Sequence, residues 1–181
     1  MKPKKKPARD SAFKAVLSGE KIFSNAHGAF TLHEQSSFGE PIEGKVYYSV
    51  IESLYLIEKG KMQMYLGGKK VSFDSFLEKS QKIENNVHTR FIVFRDMRNK
   101  GYTLKTALKF GADFRVYERG VKPGQEHAKW ILYAVHETVG LTWHEFAAKN
   151  RVAHSTKKRL LIGIVDDEND VTYYEIAWKK P

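Results

Sequence analysis

The chain of 181 residues holds 31 Lys and Arg against 21 Asp and Glu, for a formal net charge of +10, and has no cysteine. That length fits one domain or two small ones, and the positive field calls for a polyanionic partner, nucleic acid foremost. A sequence without cysteine excludes disulfides, thiol catalysis and cysteine-ligated zinc. No apolar run is long enough to span a bilayer, and the cations are spread over predicted strands and turns instead of lining one amphipathic helix, so no membrane partner is expected.

The N-terminal MKPKKKPAR is followed by no apolar signal core and reads as a solubilising terminus, with contact to RNA phosphates as the sharper alternative; the expected location is cytoplasmic. Asp10 or Ser11 caps a predicted helix over Ala12–Leu17 that Gly19 ends. Short strands follow at Lys21–Phe23 and Ala29–Leu32, separated by a turn over Asn25–Gly28, and Gln35–Gly44 reads as a Ser/Gly/Pro loop. Val50, Leu54 and Ile57 lie at helical spacing within Tyr47–Ile57. Met62–Leu66 and Lys70–Phe73 flank Gly67-Gly68 as a hairpin, and Ser75 with Glu78 opens a helix through about Ile83.

The polar break Glu84-Asn85-Asn86 divides the chain into an N-terminal mixed α/β domain, residues 1–85, and a C-terminal domain, residues 86–181, in an α+β protein. Asn86 caps a helix over Thr89–Lys100. Predicted strands then run over Thr103–Thr106, Ala112–Tyr117, His127–Val135, Leu160–Val165 and Val171–Trp178, interrupted by a helix over Trp143–Asn150 that the capping box of Thr142 and Glu145 opens. These strands form a mostly antiparallel sheet flanked by helices.

Two segments carry the chemistry: Phe110–His127 and Arg151–Leu161 supply tyrosine, histidine and lysine among cations, with no carboxylate cluster to hold a metal. Cleavage of RNA through the ribose 2′-hydroxyl needs a base, an acid and a cation for the charged phosphorane. Histidine has a reference pKa of about 6.5, which suits the acid; lysine supplies a fixed cation; tyrosine, at about 10, is a poor base that neighbouring cations improve. Period two puts Asp113, Arg115 and Tyr117 on one face of the predicted strand and Phe114 and Val116 on the other, toward the core. The loop Glu118–Glu126 then returns His127 near Tyr117. Taken alone, Tyr117 reads as a half-buried strand residue, His127 as a surface histidine and Lys157-Lys158-Arg159 as a solvated run; only their combination favours chemistry. A metal-dependent nuclease would need Glu-x-Lys, whereas Glu126 and Lys129 are three apart and point to opposite strand faces. Gly67-Gly68-Lys69-Lys70 lacks phosphate-loop spacing, so no nucleotide cofactor is expected.

The segments YTLKTALKFGADFRVYERG, Glu126-His127, RVAHSTKKRLLIGIV and the ending DVTYYEIAWKKP, in this order and spacing, resemble the archaeal tRNA-splicing endonucleases of the short, single-unit type. The N-terminal half is similar mainly in size and element order. The resemblance implies that Tyr117 is the general base, His127 the general acid and Lys158 the transition-state cation, with no metal or other cofactor. Lys157 adjoins Lys158, and a shift of one residue would exchange them; Lys158 is chosen by its distance from Arg151 and the run into Leu160-Leu161. Arg151 would sandwich a flipped bulge base, with Trp178 as a second stacking surface and Arg115 and Arg119 as further RNA contacts. The acidic turn carrying Asp166, Asp167 and Asp170 reads alone as a solvated β-turn; the resemblance implies docking into a basic groove of a neighbouring subunit in a homotetramer. The implied substrate is precursor tRNA with bulge-helix-bulge junctions. The alternative is a noncatalytic RNA-binding or structural subunit, and whether the chain assembles alone stays open.

Overall fold

Phe13, Ala15 and Leu17 are buried and alternate with exposed Lys14, Val16 and Ser18, so the first element is a strand, β1 (Phe13–Ser18), where a helix was expected. The structure is a computed structural model that describes residues 12–108 and 111–179; the basic tail, its Asp10 or Ser11 cap, and Phe110 lie outside the described residues. The contacts within the chain form two units, divided between Glu78 and Lys79, whereas the expected division follows residue 85. None of the described helices is long and apolar enough to cross a membrane.

In the first unit β1 is followed by β2 (Lys21–Ser24), α1 (His27–Ser36), β3 (Glu40–Ile42), β4 (Lys45–Tyr48), α2 (Val50–Glu58), β5 (Met62–Leu66) and β6 (Lys69–Val71), with α3 (Phe73–Gln81) beginning there. The sheet runs β3-β4-β2-β1-β5-β6, and only β1 and β5 are parallel. Three expectations are corrected. The strand placed at Ala29–Leu32 is the middle of α1, with Ala29 and Leu32 as its buried face. Tyr47–Ile57 is split: Tyr47 and Tyr48 end β4, and Ser49 then opens α2 in a capping box, its Oγ accepting from Glu52 N at 3.2 Å while Glu52 Oε2 accepts from Ser49 N at 3.1 Å. Ser72, not Ser75, opens α3, accepting at Oγ from Ser75 N at 3.3 Å.

The second unit holds α4 (Val87–Asn99), β7 (Thr103–Thr106), β8 (Phe114–Tyr117), β9 (Trp130–His136), α5 (Trp143–Ser155), β10 (Arg159–Val165) and β11 (Val171–Ile176). Its sheet, β11-β10-β9-β8-β7, is antiparallel except where α5 connects parallel β9 and β10. The two mixed sheets and five helices give an α+β fold, as expected. The Thr142–Glu145 capping box forms, and α5 continues through Arg151 and His154. Asn86 stands at the N-cap of α4 in a left-handed conformation, but its side chain donates to Ala134 O at 3.2 Å instead of capping the helix.

The helices take opposite faces of this sheet. On one, Phe94 of α4 packs on Phe114 at 5.6 Å between ring centroids, and Val93 approaches Gly163. On the other, Ala153 of α5 joins Ile131, Tyr133, Leu160 and Ile162 in a buried cluster. The Arg90 guanidinium ties α4 to the entry of β8, with Nε 3.0 Å from Asp113 Oδ1. Burial nevertheless pushes the Asp113 carboxyl above its usual range, against the opposing effects of Ala134 N–H and Arg90. Asp113 thus precedes β8 and braces its base.

A side chain at Gly163 would have its Cβ 3.2 Å from Tyr173 and 3.3 Å from both methyls of Val93. Gly163→Val should therefore destabilise the unit by about 1–3 kcal/mol through overpacking, read as a lowered urea midpoint; an unchanged midpoint would show that α4 does not need this close approach.

Candidate active site

Strand register brings the first two groups together. Val116 pairs with Trp130, and Trp130 pairs with Arg159, making one row across β8, β9 and β10. Tyr117 lies one residue beyond this row on β8, and Lys158 one residue before it, immediately ahead of β10. Pleating turns both away from the α4 face and toward the side bearing Arg115. Backbone bonds extend the row outward: Lys129 N donates to Val116 O at 2.9 Å, and Arg159 N donates to Lys129 O at 3.0 Å.

Lys158 reaches this place through the end of α5. Its N–H donates to Ala153 O at 2.8 Å, and Lys157, at φ 54°, provides the left-handed residue that closes the helix. Lys158 Nζ donates to Thr156 O at 2.8 Å. Desolvation, with help from the Arg115 guanidinium, lowers the Lys158 pKa below the ordinary lysine value.

His127 comes from the loop between β8 and β9. A turn closed by Gln125 N donating to Lys122 O at 3.1 Å, with Gly124 at φ 93°, folds this loop back beside Tyr117. The strand expected from His127 begins only at Trp130, so the histidine is exposed and not held in a ladder. Tyr117, His127 and Lys158 line a single cavity of about 400 Å³ together with Arg115, Gln125 and Glu126. Tyr117 is only 5% exposed, so its ring forms a wall of the cavity. Lys157 lies outside it.

The other expected residues are distributed more widely. Arg119 leaves the strand direction and stands over the Tyr102 ring, 5.0 Å from its centroid, in a separate cavity beside Trp130 and Glu175. β8 ends at Tyr117, and the turn that follows directs Arg119 away from the cavity of Tyr117. Arg151 is exposed on α5. Trp178 lies beyond β11, which ends at Ile176, and meets His154 edge-on with centroids 4.4 Å apart. In the acidic turn, Asp166 Oδ1 accepts from Glu168 N at 3.0 Å and Asp170 N at 2.9 Å, so this carboxylate is engaged in its own turn. Asp167 projects outward, its side chain 81% exposed and 3.5 Å from His136 Nε2. The sequence reading did not single out Gln125 as a cavity wall; its only signal was the adjacent Pro123-Gly124 turn.

The comparison with known proteins matches this organisation. Residues 13–77 match the N-terminal domain of tRNA intron endonuclease, and residues 87–173 match its catalytic C-terminal domain. The chain belongs to the tRNA intron endonuclease family. It is 39% identical over 165 residues to a tRNA-splicing endonuclease of Thermococcus onnurineus, covering 91% of this chain and 95% of that one. Identity is 47% over 138 residues with a tRNA-splicing endonuclease of Nanoarchaeum equitans, covering 73% and 88%. It is 38% over 150 residues with one of Methanothermobacter thermautotrophicus, covering 83% and 87%.

Because the folded-state Lys158 pKa is lowered, the penalty for holding its ammonium in the fold is present below that pKa. It is relieved as pH rises from there toward the ordinary lysine value, so this residue makes stability increase across that window. Arg115→Gln should move the Lys158 titration, followed by NMR at its ε-carbon, upward toward ordinary lysine. An unmoved midpoint would assign the shift to burial alone.

Proposed function

We propose that the chain is a tRNA-splicing endonuclease that cuts precursor tRNA at bulge-helix-bulge intron junctions without a metal ion, leaving 2′,3′-cyclic phosphate and 5′-hydroxyl ends. One observation carries this reading: a tyrosine, a histidine and a lysine from three separate segments border one cavity. Tyr117 Oη takes the proton of the ribose 2′-hydroxyl, and the 2′-oxygen attacks the adjacent phosphorus. The Lys158 ammonium offsets the charge that grows on the nonbridging oxygens. The His127 imidazolium protonates the departing 5′-oxygen as the P–O bond breaks, which closes the cyclic phosphate. Glu126 is the single carboxylate on the cavity wall, against the cations Arg115 and Lys158, a donor set poorly suited to a divalent ion.

Recognition rests on shape and splayed bases, since the major groove of A-form RNA hides its base edges. Arg151 and Trp178 serve as the stacking surfaces for a flipped bulge base, with Arg115 contacting phosphate inside the cavity and Arg119 contacting RNA beside it. A homotetramer would set two such sites at a fixed separation. Its apolar contact is supported by a groove of about 480 Å³ that includes Val135, Ile162, Ile164 and Ile176, bordered by half-exposed Val139 and Tyr174. The acidic turn supplies the second contact through Asp167 and Asp170, while Asp166 maintains the shape of the turn.

The purified chain should cut a bulge-helix-bulge RNA at both junctions in excess EDTA, with cyclic phosphate ends seen by mass spectrometry. Cleavage only after magnesium is restored would overturn the chemistry, and no cleavage under either condition would favour the noncatalytic subunit. His127→Ala should slow single-turnover cleavage by about 10²–10⁴-fold and Lys158→Ala by about 10²–10³-fold, with RNA binding retained. Parental rates in either variant would remove that residue from its role. Asp167→Ser combined with Asp170→Ser should lower the assembled mass measured by light scattering; an unchanged mass would remove the turn from the assembly.

A further inference from the structure

A second cavity, open and about 700 Å³ in volume, is lined by Lys129, His154, Ser155, Lys157, Lys158 and Arg159. Four of these six residues are cationic and none is a carboxylate. Lys158 also lines the cavity of Tyr117 and His127, so the two spaces meet at this side chain. His154, another of the lining residues, meets the Trp178 ring edge-on. The cationic space therefore borders the proposed chemistry at Lys158 and, through His154, a proposed stacking surface.

Its cations are held in place from outside. Arg159 NH1 donates to Glu175 Oε1 at 2.6 Å, while Glu175 Oε2 accepts from Trp130 Nε1 at 2.5 Å. Lys129 pairs with Glu118 and stands 4.7 Å from the Trp130 ring centroid. Neither Glu118 nor Glu175 borders the cavity. These carboxylates fix the long side chains while leaving the interior positive, which reduces the ordering an incoming anion must impose. The left-handed backbone at Lys157 separates consecutive cations, with Lys158 reaching into both cavities and Lys157 into this one alone.

We infer that Lys129, Lys157 and Arg159 form a binding track for the RNA phosphodiester backbone next to the scissile phosphate, leading the strand from Lys158 toward Trp178. This rests on the endonuclease reading and adds a phosphate subsite that is separate from the reacting groups. A phosphodiester run fits better than an isolated anion because this open space is larger than the cavity that holds the reacting groups.

The test uses the full chain and a bulge-helix-bulge RNA with 2′-deoxyribose at both scissile positions, its binding measured across a KCl series. Lys157→Gly and Arg159→Gln should each weaken binding and reduce the slope of log affinity against log salt by about 0.7–0.9 per lost phosphate contact. Glycine accepts the left-handed backbone at position 157, so its effect is not one of misfolding. Arg159→Lys should restore the slope. Slopes equal to the parental value in both charge-removing variants would overturn the track. So would a reduced assembled mass with an unchanged slope, which would assign these cations to another copy's acidic turn. Parental protein that binds with the full slope, together with the expected variant losses, but never cuts the all-ribose RNA would leave the track standing and remove the endonuclease reading. Cleavage by the parental protein with unchanged variant slopes would do the reverse, and absence of parental binding would overturn both.

Discussion

The row Val116, Trp130 and Arg159 is the constraint on which the second unit depends. It joins an antiparallel pair to a parallel pair, and the parallel pair requires the α5 crossover. Because Tyr117 and Lys158 each stand one residue outside this row, the sheet register sets their common end and common face. A one-residue slip of β10 would turn Lys158 toward the opposite face, where Val116 and Phe114 meet α4. The row therefore converts strand pairing into the placement of Tyr117 and Lys158.

Electrostatics then differentiates otherwise similar cations. Lys158 is partly buried beside Arg115 and has a lowered pKa, whereas adjacent Lys157 is exposed and lies outside the cavity lined by Tyr117 and His127. The difference arises from one left-handed residue at the end of α5. Carboxylates elsewhere support the arrangement without entering it: Asp113 braces the base of β8 against Arg90, and Glu175 fixes Arg159 and Trp130. The net positive charge thus has local structure, with paired cations around the sheet end and a more cationic interior between them.

The sequence was most legible where short-range chemistry and periodicity agreed. Thr142 and Glu145 announced α5, Gly67-Gly68 marked the turn between β5 and β6, and the alternation around Phe114 and Val116 identified the core face of β8. Six-residue β1 was misread because a short apolar pattern fits two periods, and pairing with β2 and β5 decides between them. The Ser49-x-x-Glu52 capping box was present in the sequence but hidden when Tyr47 and Tyr48 were assigned to its helix. Tyr117, His127 and Lys158 were singled out together in the sequence and line one cavity, while the direction of Arg119 depended on a turn that periodicity does not describe. The inward role of Asp166 also depended on backbone geometry, set by the turn with Asn169 at φ 65°.

The central claim is that one cavity activates the ribose hydroxyl adjoining the broken bond. The most direct measurement replaces the ribose by 2′-deoxyribose at just one of two junctions and follows single-turnover cleavage of both. The account predicts that the modified junction stays intact while the other is cut at its usual rate. Cleavage at the modified junction would show that the nucleophile comes from elsewhere and contradict the assignment of Tyr117, His127 and Lys158 to this chemistry.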